Sequence, residues 1–182
     1  IIRFFTGSNN EVEKPSKLRE AIKNSDIETI ILLLENGSDV NELDSLGISP
    51  LKVAVQDNNK DVVELLLNHW ADANIDNVLV TIGYYNDIDI KIVELLLENW
   101  ANPYYVNNFW DNLIHSSIKN GRNDVIDLLI EYWADINGTN FDHWETPLHQ
   151  QCYTWTSKTV EILLDRWADI NIQTNKWGTP LM

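Results

Sequence analysis

Residues 49–74 read "SPLKVAVQDNNKDVVELLLNHWADAN", two helix signals divided by a polar turn. Ser49 before Pro50 places a cap residue ahead of a proline at the first helical position, where a missing N–H costs nothing. The segment "DVVELLL" (61–67) has apolar residues at helical period. It opens on Asp61, a favourable residue at a helix N-terminus, where the dipole is positive. The stretch therefore predicts a short helix, a turn, a longer helix and an extended polar exit.

The end of this unit recurs along the chain. It appears as "LLLENGSDVN" from Leu32, "LLLNHWADAN" from Leu65, "LLLENWANPY" from Leu95, "LLIEYWADIN" from Leu128 and "ILLDRWADIN" from Ile162. The spacings are 33, 30, 33 and 34 residues, a period too regular for chance and in the range of stacked repeats. A helix pair of this size cannot bury its own apolar face. Neighbouring pairs must stack to share a continuous core.

With these residues in view, the chain resembles ankyrin repeats. The family pattern has a Thr-Pro-Leu-His opening, a Val-Val-x-Leu-Leu-Leu second helix and a Gly-Ala-Asp-Val-Asn exit. Here "ETPLHQQCYTWTSKTVEILLDRWADIN" (145–171) and residues 49–74 carry it most fully. The resemblance implies an all-α solenoid, with helix-turn-helix pairs joined by β-hairpin-like loops. It divides the chain into units at about 15–43, 44–75, 76–106, 107–139 and 140–173, with a partial unit at 174–182 and residues 1–14 unassigned. The first unit lacks the Thr-Pro opening. The third is three residues short and opens on "LVTI" (79–82), so its hairpin and first helix depart from the pattern. The chain begins at Ile1 without a Met, which suggests a fragment.

Aligning the units exposes an anomaly. The family ends its second helix on Gly, which adopts left-handed backbone without steric cost. Gly37 holds that place, but Trp70, Trp100, Trp133 and Trp167 hold it elsewhere. In the hairpin, Gly47 is matched by Trp110, Trp144 and Trp177. At the end of the first helix, Gly121 is matched by Trp155. All 8 Trp stand where the family has Gly. A bulky L-residue in the left-handed region costs about 1–2 kcal/mol. Three origins are open at this stage: a binding ladder of aromatics, engineered replacements, or UGA codons that mean Gly in the natural protein.

The net charge is −15. Nucleic acid and anionic membrane are disfavoured, because both are recognised by Lys and Arg. A basic protein partner is favoured by the same field, while a plain solvated acidic surface accounts for the charge equally well. No apolar run approaches the length of a bilayer span. Cys152 is the single cysteine, so no internal disulfide forms. The expected setting is the cytoplasm, with export as an effector as the alternative, and the expected state is a monomer.

Few residues suggest chemistry. His115 and His149 fall at the His of the opening, which the resemblance makes a brace for the turn. His149 and Cys152 are three residues apart on one helix face, a spacing a metal could use. Without a second pair of ligands, Cys152 is expected to fill the core. Asp61, Glu64, Glu94, Asp124 and Glu161 recur with the repeat and read as helix caps and solvated faces. "NGTN" (137–140) matches a glycosylation acceptor by loop composition. No catalytic residue, metal or cofactor is expected.

What remains is a surface. In the family, partners lie along the hairpin tips and the concave face of the first helices. Carried over by position, the tips are Leu46 and Ile48, then Phe109 and Asp111, then His143 and Glu145. The helix faces supply Gln56, Asp57, Asn58, Lys119, Asn120, Tyr153 and Thr154, and Tyr104 and Tyr105 stand at the exit. Exposed apolar and aromatic side chains in a polar rim are the natural anchors. The expected function is protein binding without catalysis. The alternative is the recognition arm of a larger enzyme or secreted effector.

Overall fold

The computed structural model describes residues 16–104, 106, 112–140, 144–154, 157–176 and 178–180. Helices α1 (Lys17–Lys23) and α2 (Ile27–Glu35) form the first pair, and α3 (Pro50–Gln56) and α4 (Lys60–Asn68) the second. The third pair is α5 (Val78–Thr81) and α6 (Ile90–Glu98), the fourth α7 (Leu113–Lys119) and α8 (Asn123–Glu131), the fifth α9 (Pro147–Thr154) and α10 (Ser157–Asp165).

Three of the first helices are started by side chains. Ser16, Ser49 and Asn112 each accept the backbone N–H three residues on, satisfying one of the donors that a helix start leaves open. In the second helices the caps are Asp26, Asn59 and Asp89. Asn59 therefore replaces the Asp61 cap expected from sequence. Asp61 sits in the first turn of α4, where it still meets the positive end of the dipole.

Pairs stack in chain order. Helix α1 packs on α3, α3 on α5, and α7 on α9, while α4 packs on α6, α6 on α8, and α8 on α10. Leu18, Ile22, Leu51, Ile114 and Leu148 from the first helices, and Ile30, Leu66, Ile92, Leu96, Ile126, Leu129 and Leu163 from the second, are completely buried. Each such side chain contributes about 1.5–3 kcal/mol by leaving water. The core is thus a line of small clusters along the stack, as expected for an all-α solenoid.

Tight loops join the pairs. Asp44 N donates to the Ile48 carbonyl at 3.2 Å, Asn140 N to Glu145 at 3.0 Å and Thr174 N to Gly178 at 2.9 Å. Among the described residues an antiparallel bridge also pairs Val106 with Asn112. These hairpins are too short to extend into a strand among the described residues.

The third pair departs from the pattern, as its sequence predicts. Helix α5 has only four residues, and its start, Asn77, is left-handed and caps nothing with its side chain. Without Ser-Pro or Thr-Pro at this place, the chain enters the helix with no residue that fixes the extended cap conformation.

Candidate partner-binding surface

The fourth residue of each opening ties one pair to the next. Lys52 Nζ donates to the Asp76 carbonyl at 2.9 Å. His115 Nε2 lies 3.0 Å from the Glu145 carbonyl, and His149 Nε2 lies 3.2 Å from that of Gly178. In the first pair Arg19 takes the role, donating to the Ile48 carbonyl at 2.5 Å and to the Glu42 carbonyl. Its Nη1 faces Asp44 Oδ2 at 3.5 Å, an ion-pair contact without hydrogen-bond geometry. Apart from the Glu42 carbonyl, each acceptor is the loop residue just before the next opening. The third opening starts at Asn77, the residue before α5, two residues ahead of the 79–82 expected from sequence, so Val80 stands at this place and its side chain has no hydrogen to give.

These bonds decide the roles of the two histidines. Thr146 donates its N–H to His149 Nδ1 at 3.2 Å, so Nε2 carries the hydrogen given to Gly178. Both ring nitrogens are engaged and the ring is buried. Neither His is offered to a ligand. Cys152 is half-buried, and burial pushes its thiol up, away from the reactive thiolate. Among the described residues no group of three or more His, Cys, Asp or Glu could hold a metal.

Leu46 is the most exposed large aliphatic side chain among the described residues, at 81%. It is held there by Asp44, whose Oδ1 accepts from Leu46 N and Ile48 N at 2.9 Å each. The bond from Ile48 is the main reason the Asp44 carboxyl lies below the usual aspartate range, with Leu46 N–H and the Arg19 charge adding to it. Gly47 turns the tip with φ of 72°. Ile48 turns inward and packs against the core, so the two predicted tip residues face opposite ways.

The helix-end residues form a second band. Asp57 and Asn58 follow α3 and are exposed. Asn58 is left-handed at φ of 52°. Its Nδ2 donates to Asp87 O at 3.1 Å, and its Oδ1 accepts from Asp89 N at 2.8 Å. Asn120 is half-buried, and its Nδ2 donates to Gly83 O at 3.0 Å. Gln56 and Glu145 are half-buried, and Lys119 is exposed. A seven-residue helix is about 10 Å long, so this band is set apart from the hairpin tips by the length of α3 or α7. Tyr105, Phe109, Asp111, His143 and the side chains of Tyr153 and Thr154 lie outside the described residues.

Tyr104 belongs to a third place. It is 57% exposed and borders a groove of about 500 Å³ with Leu97, Trp100, Tyr132 and Trp133. Burial, then Glu98, Glu94 and Glu131, push the Tyr132 phenol up and keep it neutral. Sequence reasoning missed this groove, because its walls come from neighbouring units whose stacking sets their distance. The exposed Tyr84 and Tyr85 after α5 were also missed. Their signal is the broken first helix, which leaves aromatic residues in a loop.

The cations are largely committed. Arg122 pairs with Asp124 at 2.8 Å, Arg166 with Asp127 at 3.2 Å and with Glu131 at 3.3 Å, and Lys91 with Glu94 at 2.6 Å. The hydrogen bond from Arg122 is the chief cause that lowers the Asp124 carboxyl. With 28 acidic against 13 basic residues, the surface left over is negative.

The family model for ankyrin repeats matches residues 5–78 and 79–174. A putative ankyrin repeat protein of fowlpox virus, FPV031, is 31% identical over 134 residues, which is 69% of this chain and 39% of that protein. The human 2-5A-dependent ribonuclease is 41% identical over 68 residues, covering 37% of this chain and 9% of the enzyme. The chain thus spans well under half the length of these curated relatives. Among solved structures, the ankyrin repeat protein EF0377 superposes with a TM-score of 0.78 at 25% identity, covering 90% of this chain and 87% of that one. The ankyrin repeat domain of Bcl-3 superposes at 0.76 and 19% identity, covering 92% and 78%. Period, helix pairs, opening braces and family match agree: the chain belongs to the ankyrin-repeat family.

Proposed function

We propose that this chain is a non-catalytic binding module that takes a basic protein along its hairpin tips and first-helix faces. Ankyrin repeats are protein–protein interaction modules. The observation that carries the finer reading is Leu46, held in solvent on a hairpin locked by Asp44 and Arg19. An apolar side chain already fixed in place loses little freedom on binding, which is where a rigid surface gains affinity. The negative surface supplies the choice of partner.

The test uses the full-length protein with its partner from the native source. Partners are isolated with the wild-type chain and with Leu46→Glu, after circular dichroism shows the same fold. A basic protein recovered with the first and lost with the second, and released by rising salt, supports the proposal. Equal recovery by both chains, or no reproducible partner, overturns it.

A second reading is favoured by one observation, the match to a stretch that is 9% of an enzyme's length. In it, the repeats are the recognition arm of a longer enzyme or effector. The complete reading frame decides, since further repeats and stop codons on both sides would remove it.

A further inference from the structure

The end of the second helix has one geometry throughout. Gly37 N donates to Leu34 O, and Ser38 N to Leu33 O, both at 3.0 Å. Trp70, Trp133 and Trp167 repeat the same pair of bonds at 2.9 to 3.1 Å, as does Trp100. This is the helix stop that needs a left-handed residue in its centre. Accordingly φ is 85° at Gly37, and 66°, 64°, 67° and 67° at Trp70, Trp100, Trp133 and Trp167. In the hairpins, Gly47 and Trp144 match in the same way, at 72° and 57°.

Nothing in the surroundings selects an indole. The four helix-end Trp side chains are 82–89% exposed and Trp144 is 60% exposed, whereas tryptophan is on average among the most buried residues. A Cβ placed on Gly37, Gly47 or Gly121 would meet no atom within 4 Å. The constraint is therefore the backbone alone.

Where this chain does put another residue in a left-handed turn, the choice is small and polar. The first helices end on Ser25, Asn58 and Gly121, with φ of 53°, 52° and 67°. That is ordinary substitution, since asparagine tolerates this region through its own short polar side chain. The second-helix ends and the hairpin position of Gly47 and Trp144 show no such intermediate among the described residues, only Gly or Trp; Asn77, left-handed at φ of 56° at the start of α5, is again small and polar. Selection acting on side chains would not jump from the smallest residue to the largest and nowhere between. A single codon with two meanings does so. UGA is read as glycine in some genetic codes and as tryptophan in others.

We propose that Trp70, Trp100, Trp133, Trp144 and Trp167 are glycine in the protein its own cells make, each encoded by UGA. The same codon accounts for Trp110, Trp155 and Trp177, which align with family glycines in sequence. The glycine count rises from 7 to 15 and the tryptophan count falls from 8 to none. One functional consequence follows at once. The groove beside Tyr104 loses two of its walls, Trp100 and Trp133, and is not a ligand site. Partner contacts then rest on the hairpin tips and the first-helix ends.

Two measurements test this. The gene is sequenced at the eight codons, and the protein purified from its own host is mapped by peptide mass spectrometry. UGA codons, with glycine in the peptides spanning residues 70, 100, 133, 144 and 167, are the expected result. UGG codons, or peptides carrying tryptophan there, overturn the proposal. In parallel, two synthetic genes free of UGA express the chain with eight tryptophans and with eight glycines. The glycine chain should melt at the higher temperature, and an equal or lower melting point would overturn the conformational argument behind the assignment.

Discussion

Asn74 holds the turn from Trp100 to Asn102 in the following unit through both ends of its amide. Nδ2 donates to the Trp100 carbonyl at 2.9 Å, and Oδ1 accepts from Asn102 N at 2.8 Å. Asn41 does the same for the Trp70 carbonyl at 3.3 Å and Asp72 N at 2.8 Å. Asn137 accepts from Asp169 N at 2.9 Å. The exit asparagine thus bonds across three junctions. At the junction between the third and fourth pairs its place is taken by Tyr104, which has no amide to clamp with.

That difference predicts opposite effects of two substitutions. Asn74→Ala removes a donor and an acceptor from exposed backbone groups and should destabilise by about 1–2 kcal/mol. Tyr104→Asn should instead add the missing clamp between the third and fourth units and stabilise by about 1 kcal/mol. Urea unfolding of the two variants beside the wild type checks both. A loss in Tyr104→Asn would show that this junction is held by the tyrosine ring.

The first hairpin should respond to acid. Asp44 is held below the usual aspartate range chiefly by the Ile48 N–H, so its folded value is lower than its unfolded one. A group of that sign gives its full contribution above the unfolded value, about pH 4, and loses it as pH falls through the folded value. Asp124 and Asp26 have the same sign. Melting temperature should therefore decline below about pH 4. Asp44→Asn should decline less between pH 7 and pH 3 than the wild type, since asparagine keeps an acceptor but does not titrate. Identical pH profiles would remove Asp44 from the account.

Much of this was legible in the residues, for a physical reason. Helix pairs, their order and their core follow from a period that each unit repeats, so every unit corroborates the others. His115 and His149 were expected to brace the turn, and both reach the next hairpin. Arg19 and Lys52 do the same work with different chemistry. A motif written as histidine conceals them, because what the site requires is a donor of the right reach. The candidate surface was less legible. Leu46 and Ile48 lie two residues apart in the same hairpin, yet one is in solvent and the other is half-buried against the core. Position along the chain does not reveal which way a tip residue turns. The Tyr104 groove depends on the stacking of two units and leaves no mark in either one.

Leu46 separates binding from stability. Its side chain is 81% exposed and its hairpin is fixed by Asp44 and Gly47. Leu46→Glu should change folding stability by no more than about 0.5 kcal/mol, the range of ordinary surface substitutions. Ile48→Glu should cost several times more, because it forces a charge against the core. Thermal melts of the two variants compare them directly, and equal losses would contradict the inward and outward assignment.

Trp133 allows the backbone argument to be tested at one residue, whatever its codon. It stands at φ of 67° with its side chain 82% exposed, so replacing it removes little buried surface. Glycine relieves a penalty of about 1–2 kcal/mol but gives back about 0.5–1 kcal/mol through its greater freedom in the unfolded chain. Trp133→Gly should therefore gain about 1 kcal/mol, which for a chain of this size raises the melting temperature by about 2–4 °C. Asparagine accepts the left-handed region better than other L-residues, so Trp133→Asn should fall between. Trp133→Ala keeps the Cβ that causes the strain and removes only exposed ring, so it should stay near the wild type. The order Gly above Asn above Ala and Trp follows from φ alone. An alanine variant as stable as the glycine one would mean that the indole, and not the backbone, sets the cost.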